Sequence, residues 1–304
     1  MLRLVWRLKP DVILSGMAHL NFLVLLLRPL FPRQARVVVR QNSTASAALE
    51  FGGLPGYTRA LYKLLYRRAD RVICQTAAMA ADLVEGLEIP QSRLVVLPNP
   101  VDVDAIRSQA DGDRLENPDA KWSGPGPHLL AVGRLSREKG FDLLLQALAQ
   151  VRATFPDADL VVAGPGPEDA ALKAQSLALG LQSAVHFAGF IDEPAAYFAG
   201  ASAYVLSSRH EGMPNALLEA AAAGLPIVAL PSSQGVVDLL LEQRGVWLGC
   251  EISAAALAES LLQALKALRN GERFSHEFVE QFRLERSIAA YEALIDAVLN
   301  EARR

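Results

Sequence analysis

The chain has 304 residues, 51% hydrophobic and 21% charged, which excludes a disordered polypeptide and leaves room for two domains with sizeable cores. The net charge of −3 hides a basic first third: residues 1–100 carry 13 lysines and arginines against 6 aspartates and glutamates, and residues 101–304 carry 17 against 27. That asymmetry calls for an anionic partner, but no nucleic-acid motif accompanies it, and Cys74 and Cys250 lack metal-ligand spacing, fitting a reduced, cytoplasmic setting with no nucleic acid partner.

The chain opens on Leu2–Pro10, which reads as the end of a helix and carries no signal-peptide pattern. Short β-rich runs then alternate with helical ones. Strands are predicted at Asp11–Leu14, Arg36–Arg40, Arg71–Gln75 and Leu94–Leu97, with helices at His19–Leu30, Tyr57–Arg68 and Ala77–Gly86. Such alternation builds a parallel sheet with helices on its faces. The apolar run Val12–Leu27 contains Ser15, His19 and Asn21, too short and too polar for a membrane span. The helix Arg59–Arg68 is basic and holds two tyrosines. It reads equally as a helix lying on an anionic membrane surface or as one packed on its own sheet.

Pro98-Asn99-Pro100 breaks the pattern, and a polar stretch runs on to Pro127. The expected organisation is therefore a first domain over 1–106, a linker over 107–127 and a second domain over 128–283. A last helix over 284–304 is expected to pack back on the first domain. In the second domain strands are predicted at His128–Val132, Leu160–Ala163, Val185–Ala188, Ala203–Ser207 and Pro226–Leu230. Helices are predicted at Phe141–Thr154, Glu168–Leu179, Pro194–Gly200, Pro214–Ala223, Ala254–Arg269 and Leu284–Leu299. The fold class is α/β, two Rossmann-like domains facing a central cleft, with ligands expected at the carboxyl ends of the strands.

Arg209-His210-Glu211-Gly212-Met213-Pro214-Asn215-Ala216-Leu217-Leu218-Glu219 is the most informative segment. Pro214 suits the first position of a helix, which would turn the amides from Met213 to Leu217 toward a phosphate. Gly212 permits close approach of a ligand. Glu219 lies further along the same helix, spaced to reach the ribose of a nucleotide whose diphosphate sits at the N-terminus. The plainer reading is a surface helix start with two solvated glutamates. Upstream, Gly133-Arg134-Leu135-Ser136-Arg137-Glu138-Lys139-Gly140 follows a predicted strand, so Arg134 and Lys139 could hold a diphosphate in place of a metal, or form a basic surface loop. Gly164 ends the next strand in a small-residue turn, and Phe190 follows another strand on the same rim, where each could let a base approach or simply turn a corner. The Asp-x-Asp strings at Asp102/Asp104, Asp111/Asp113 and Asp157/Asp159 sit in the linker or at a strand approach and read as structural.

In order, VGRLSREKGFDLLLQAL, VVAGPGP, VHFAGF and YVLSSRHEGMPNALLEAAAAGLPIVA resemble the second domain of glycosyltransferase family 4, the group 1 retaining glycosyltransferases of the glycosyltransferase-B fold. The resemblance covers residues 128–240 closely and 9–106 more loosely, through PDVILS, RVICQT and VVLPNPVD. It implies transfer of a hexose or N-acetylhexosamine from a nucleoside-diphosphate sugar, with UDP favoured, to a glycan or polyprenyl-diphosphate-linked acceptor. It implies that Arg134 and Lys139 bind the donor diphosphate, that Glu211 contacts the donor sugar and that Glu219 holds the ribose. Gly133 and Gly212 to Leu217 fall on the loops around the donor, and His19 matches the first-domain rim loosely. No cofactor or metal is implied. Members of the family begin with a strand, a Gly-rich loop and a long helix, so about two βα units, roughly 30 residues each, are expected to be absent here. Two other readings remain: a sugar-nucleotide epimerase of the same fold, and an inactive nucleotide-sugar-binding module.

Overall fold

The computed structural model describes residues 1–42, 44, 58–111, 122, 125–192, 195–269 and 271–302. Its elements run α1 (Leu2–Leu8), β1 (Val12–Ser15), α2 (Ala18–Leu27), β2 (Arg36–Gln41), α3 (Thr58–Tyr66), β3 (Arg71–Cys74), α4 (Ala77–Leu87), β4 (Leu94–Val96) and α5 (Val103–Asp111). They continue β5 (His128–Val132), α6 (Phe141–Val151), β6 (Asp159–Ala163), α7 (Asp169–Ala178), β7 (Val185–Gly189), α8 (Ala195–Gly200), β8 (Ala203–Leu206) and α9 (Asn215–Ala222). The last are β9 (Ile227–Ala229), α10 (Gln234–Leu240), β10 (Val246–Leu248), α11 (Ala254–Ala267) and α12 (Leu284–Ala302). Two units result, residues 1–100 with 284–304 and residues 101–283.

The first unit holds four parallel strands in chain order, β1-β2-β3-β4, with Val12 opposite Arg36, Val38 opposite Arg71 and Val72 opposite Leu94. Val37, Val39 and Val72 point into a core shared with α2, α3 and α4. On the other face Val38, Ile73 and Leu97 pack against Leu294 and Val298 of α12. Thr76 starts α4 by accepting the Met79 N–H at 3.1 Å, the cap that its hydroxyl was suited to supply. Tyr62 and Tyr66 of α3 are fully buried, and the Tyr66 hydroxyl donates to Gln41 at 2.7 Å. Lys63 of the same helix and Arg67 just after it pair with Glu88. The two tyrosines are thus core residues.

The second unit holds a six-stranded parallel sheet in the order β10-β9-β8-β5-β6-β7. Every residue of β6, β8 and β9 is buried, as a parallel sheet covered on both faces requires. Alternation along β8 sends Ala203 and Val205 to one core, with α6 and α11, and Tyr204 and Leu206 to the other, with α9 and α10. The order reverses beside β5, since β6 follows on one side while β8 lies on the other. Outside the carboxyl ends of β5 and β8 is therefore the place where an open α/β sheet takes its ligand.

Two expectations change. Residues 103–111, assigned to the end of the first domain and the start of a linker, form α5 and belong to the second unit. Val101 and Val103 are buried with Phe198 and Leu217, and that burial outweighs the polar composition around them. Of the remaining linker positions, 112–121, 123 and 124 lie outside the described residues. Helix α12 groups with the first unit. The strand β10 and helix α10 were not anticipated, because Val246-Trp247-Leu248 is too short to show a period.

Candidate active site

The loop after β5 and the loop after β8 are locked to each other by the motifs they carry. Gly140 has a φ of 64°, and a Cβ there would lie 2.1 Å from the Ser207 carbonyl oxygen, so only glycine lets the two loops meet. The Ser207 hydroxyl donates to the Lys139 carbonyl at 2.9 Å. Arg209 clamps the junction, its Nη1 and Nη2 each donating to one Asp142 carboxylate oxygen at 2.6 Å, while its backbone N–H donates to Glu138 at 2.8 Å. Such a fork-to-carboxylate pair fixes orientation as well as distance.

That lock brings Lys139 against Glu211. The Lys139 Nζ donates to Glu211 Oε1 at 2.6 Å, and the Ser208 hydroxyl donates to the same oxygen at 2.6 Å. Glu211 is buried, and its second oxygen, Oε2, has no partner among the described residues. The Arg134 guanidinium is exposed and likewise without a partner among them. The amides of Met213 and Ala216 have no backbone partner among them either and stand at the start of α9, a favourable end for an anion.

These groups surround a cavity of about 280 Å³ lined by Gly133, Arg134, Lys139, Glu211, Met213, Pro214, Asn215 and Ala216, with Val132, Tyr204 and Leu206. A larger cavity of about 520 Å³ opens at the amino ends of β5 and β8, beside His128 and Arg273. Arg273 there holds the carbonyls of Phe198, Ala199 and Ala201, and no residue singled out from the sequence lines the space. The smaller cavity is the better candidate, because it stands at the switch point and gathers unpaired cationic and amide donors.

Glu219 lies outside the lining, half-buried, and its carboxylate makes no hydrogen bond or ion pair among the described residues. Burial pushes its carboxyl pKa up. The Tyr204 phenol feels both carboxylates: burial first, then Glu211 and Glu219, raise its pKa. Tyr204, Ser208 and Arg209 were not singled out from the sequence as site residues. Only the alternation of β8, which turns a tyrosine toward the helix-bearing motif, offered a signal.

Five other positions fare differently. Leu217 is fully buried in the core and its N–H donates to the Pro214 carbonyl at 3.1 Å, so it is not a free phosphate donor. Gly164 is not open to a base, because a Cβ there would lie 2.0 Å from the Gly133 carbonyl oxygen; its smallness packs one loop on the other. Phe190 is 72% exposed after β7, outside the cavity lining, as is Gly212. His19 is exposed near the start of α2 in the first unit. Three of the Asp-x-Asp residues are held by protein groups: Asp102 caps α5 through the Ala105 N–H, Asp104 pairs with Arg283, and Asp159 meets His128 at 2.7 Å. Asp113 lies outside the described residues.

Residues 115–280 match the family described as glycosyl transferases group 1, and residues 1–105 match glycosyltransferase family 4. The N-acetylgalactosamine-N,N'-diacetylbacillosaminyl-diphospho-undecaprenol 4-alpha-N-acetylgalactosaminyltransferase of Campylobacter jejuni is 28% identical over 222 residues, which are 72% of this chain and 57% of that protein. The lipopolysaccharide core biosynthesis glycosyltransferase LpsE of Rhizobium meliloti is 27% identical over 236 residues, 76% of this chain and 65% of that one. The chain spans about half the length of the first curated relatives it matches. Among solved structures, Anabaena Alr3699/HepE in complex with UDP and glucose superposes with a TM-score of 0.80 at 17% identity, over 96% of this chain and 80% of that one. The fold is thus that of the glycosyltransferase-B enzymes.

Proposed function

The chain belongs to the group 1 glycosyltransferases, and on that premise we propose that it moves a hexose or N-acetylhexosamine from a UDP-sugar, with retention, to a glycan or polyprenyl-diphosphate-linked acceptor in cell-surface polysaccharide synthesis. One observation carries the reading: Arg134, the Lys139–Glu211 pair and the amides at the start of α9 converge on one cavity at the switch point of the second sheet. A nucleoside diphosphate leaves readily once its developing charge is neutralised, and Lys139 is already held in place by Glu211. Arg134 and the amides take the diphosphate, with Lys139 held beside it by Glu211. Glu211 Oε2 accepts from hydroxyls of the donor sugar, and the half-buried Glu219 accepts from the ribose. Cations and amides fill the part a metal plays elsewhere, so transfer proceeds without one. The departing phosphate oxygen takes the acceptor's proton on the face where the new bond forms. Support for UDP comes from the UDP complexes of fold neighbours, and support for a lipid-linked acceptor from the Campylobacter relative.

A cytoplasmic location at an anionic membrane face completes the proposal, but through α1 rather than α3. Helix α1 exposes Leu4, Trp6 and Leu8 beside Arg3, Arg7 and Lys9, the apolar and basic mixture that interfacial helices use. No helix among the described residues is long and apolar enough to cross a membrane.

Calorimetry with UDP, with and without EDTA, tests the donor site. UDP release with and without a lipid-linked acceptor tests transfer, and the anomeric configuration of the product tests retention. Acceptor-independent change of the donor would instead mark an epimerase, and UDP binding with no turnover an inactive module. Flotation with anionic and neutral liposomes tests the surface; equal partitioning sinks that part.

A further inference from the structure

The second unit's core contains a tyrosine with no evident reason to be one. Tyr204 is 1% exposed on β8, packed between Leu130, Leu218 and Ile227 in a cluster where phenylalanine would fill the same space. Its hydroxyl makes no hydrogen bond with any described residue, yet it is not among the sealed, unpartnered polar atoms, and the residue lines the cavity. The two other fully buried tyrosines differ: Tyr66 is bonded to Gln41 and Asn21, and the Tyr62 hydroxyl is sealed in. A buried hydroxyl left unpaired costs on the order of 1–3 kcal/mol, a cost that a ligand group can remove.

The charges around it say what that group is. The Glu211 and Glu219 carboxylates both act on the phenol and, with burial, keep it protonated, so it is available as a donor. In the reading above, Glu211 meets the donor sugar and Glu219 the ribose. The part of a nucleoside-diphosphate sugar that joins those two is the diphosphate, an acceptor of hydrogen bonds only. We infer that Tyr204 is a donor-binding residue whose hydroxyl donates to an oxygen of the bound diphosphate, from beneath the start of α9. This rests on the proposed donor site and deepens it. A neutral donor at this point binds the anion without pairing with either carboxylate, which a lysine there would do.

The test is Tyr204→Phe, measured by calorimetry against UDP and against uridine. Losing a hydrogen bond to a charged group weakens UDP binding about ten-fold to a hundred-fold. Uridine, which lacks the diphosphate, should bind the variant as it binds the unaltered chain. Equal UDP affinity in the two proteins overturns the inference, and so does an equal loss for uridine, which would put the contact on the nucleoside. If the unaltered chain binds no UDP, the proposed donor site fails first, so the two failures are distinct. A measurement that needs no variant is NMR of the chain with its six tyrosines labelled with ¹³C at Cζ. One resonance from a buried ring should shift on saturation with UDP and stay in place with uridine; no such shift overturns the assignment.

Discussion

The two units solve the same packing problem to different degrees. Among the described residues, fourteen large apolar side chains stand exposed in the first unit and five in the second. In the second, the strands at the switch point are covered on both faces, and the exposed apolar residues are scattered: Leu177, Leu179, Phe190, Leu241 and Ile252. In the first, they concentrate on α1, β1 and α2. Leu14 is exposed on the edge strand β1, and Leu20, Leu23 and Leu26 form a stripe along α2 at three-residue spacing. The candidate cavity is built on the covered sheet. The first unit leaves an apolar face exposed.

The sharpest way to break this contrast is Glu211→Gln, which keeps the shape of the side chain and removes its charge. If the proposed donor site is right, transfer should fall about 100-fold or more, because there Glu211 would act on the reacting sugar and, among the described residues, no other carboxylate lines the cavity. Circular dichroism should show the fold retained, while Lys139, deprived of its counter-ion, lowers the melting temperature modestly. Unchanged turnover would remove Glu211 from the site.

Arg209→Ala comes next. It removes the two-pronged bond to Asp142 and frees the loop after β8 from the loop after β5. Stability should drop by about 1–2 kcal/mol in denaturant titration. UDP binding should weaken too, although Arg209 does not line the cavity. A stability loss with binding intact would show that the loops find their places without the clamp.

A smaller effect follows from Glu219. Burial holds its carboxyl above the ordinary value, so the folded chain keeps that proton to higher pH than the unfolded chain does. Between the two values the folded state binds more protons, and stability falls as pH rises through that window. Glu219→Gln should lack this fall, so its melting temperature should gain on the parent as pH increases across the mildly acidic range. On the proposed donor site, UDP binding by the parent should strengthen over the same range, since there the ionised carboxylate would accept from the ribose hydroxyls. Parallel melting curves for the two proteins would place Glu219 in water.

The smallest effect belongs to the first unit. Leu23→Gln, on the exposed stripe of α2, should change stability by no more than about 0.5 kcal/mol, because the side chain is 44% exposed. Its value is the contrast: the same change at fully buried Leu218 should cost several kcal/mol through a lost contact and a buried amide.

Much of this was legible in the chain as written. The spacing of apolar runs placed β5 to β9 within a residue or two of their positions, because strands buried on both faces write themselves as unbroken Val, Leu and Ala. The loops at Gly133–Gly140 and at Glu211–Pro214 were readable too, since glycine, proline and charge cluster where a strand hands over to a helix. Helix α5 was hidden, because Val103 and Ile106 alone show its apolar face amid Asp-rich sequence. Gly164 and Phe190 were assigned to ligand contact from their place after a strand, which says where a residue lies along the chain but not what its missing or present Cβ meets.

The order of residues by itself determined the alternating α/β architecture, the parallel sheets and the two motifs that hold the chemistry, because those follow from local periodicity and turn chemistry. Only the tertiary structure decided that Lys139 and Ser208 share one oxygen of Glu211, that Arg209 ties two loops together and that Tyr204 lines the same cavity as Arg134 and Lys139. Those relations join segments dozens of residues apart, and no one-dimensional pattern encodes a distance across a sheet.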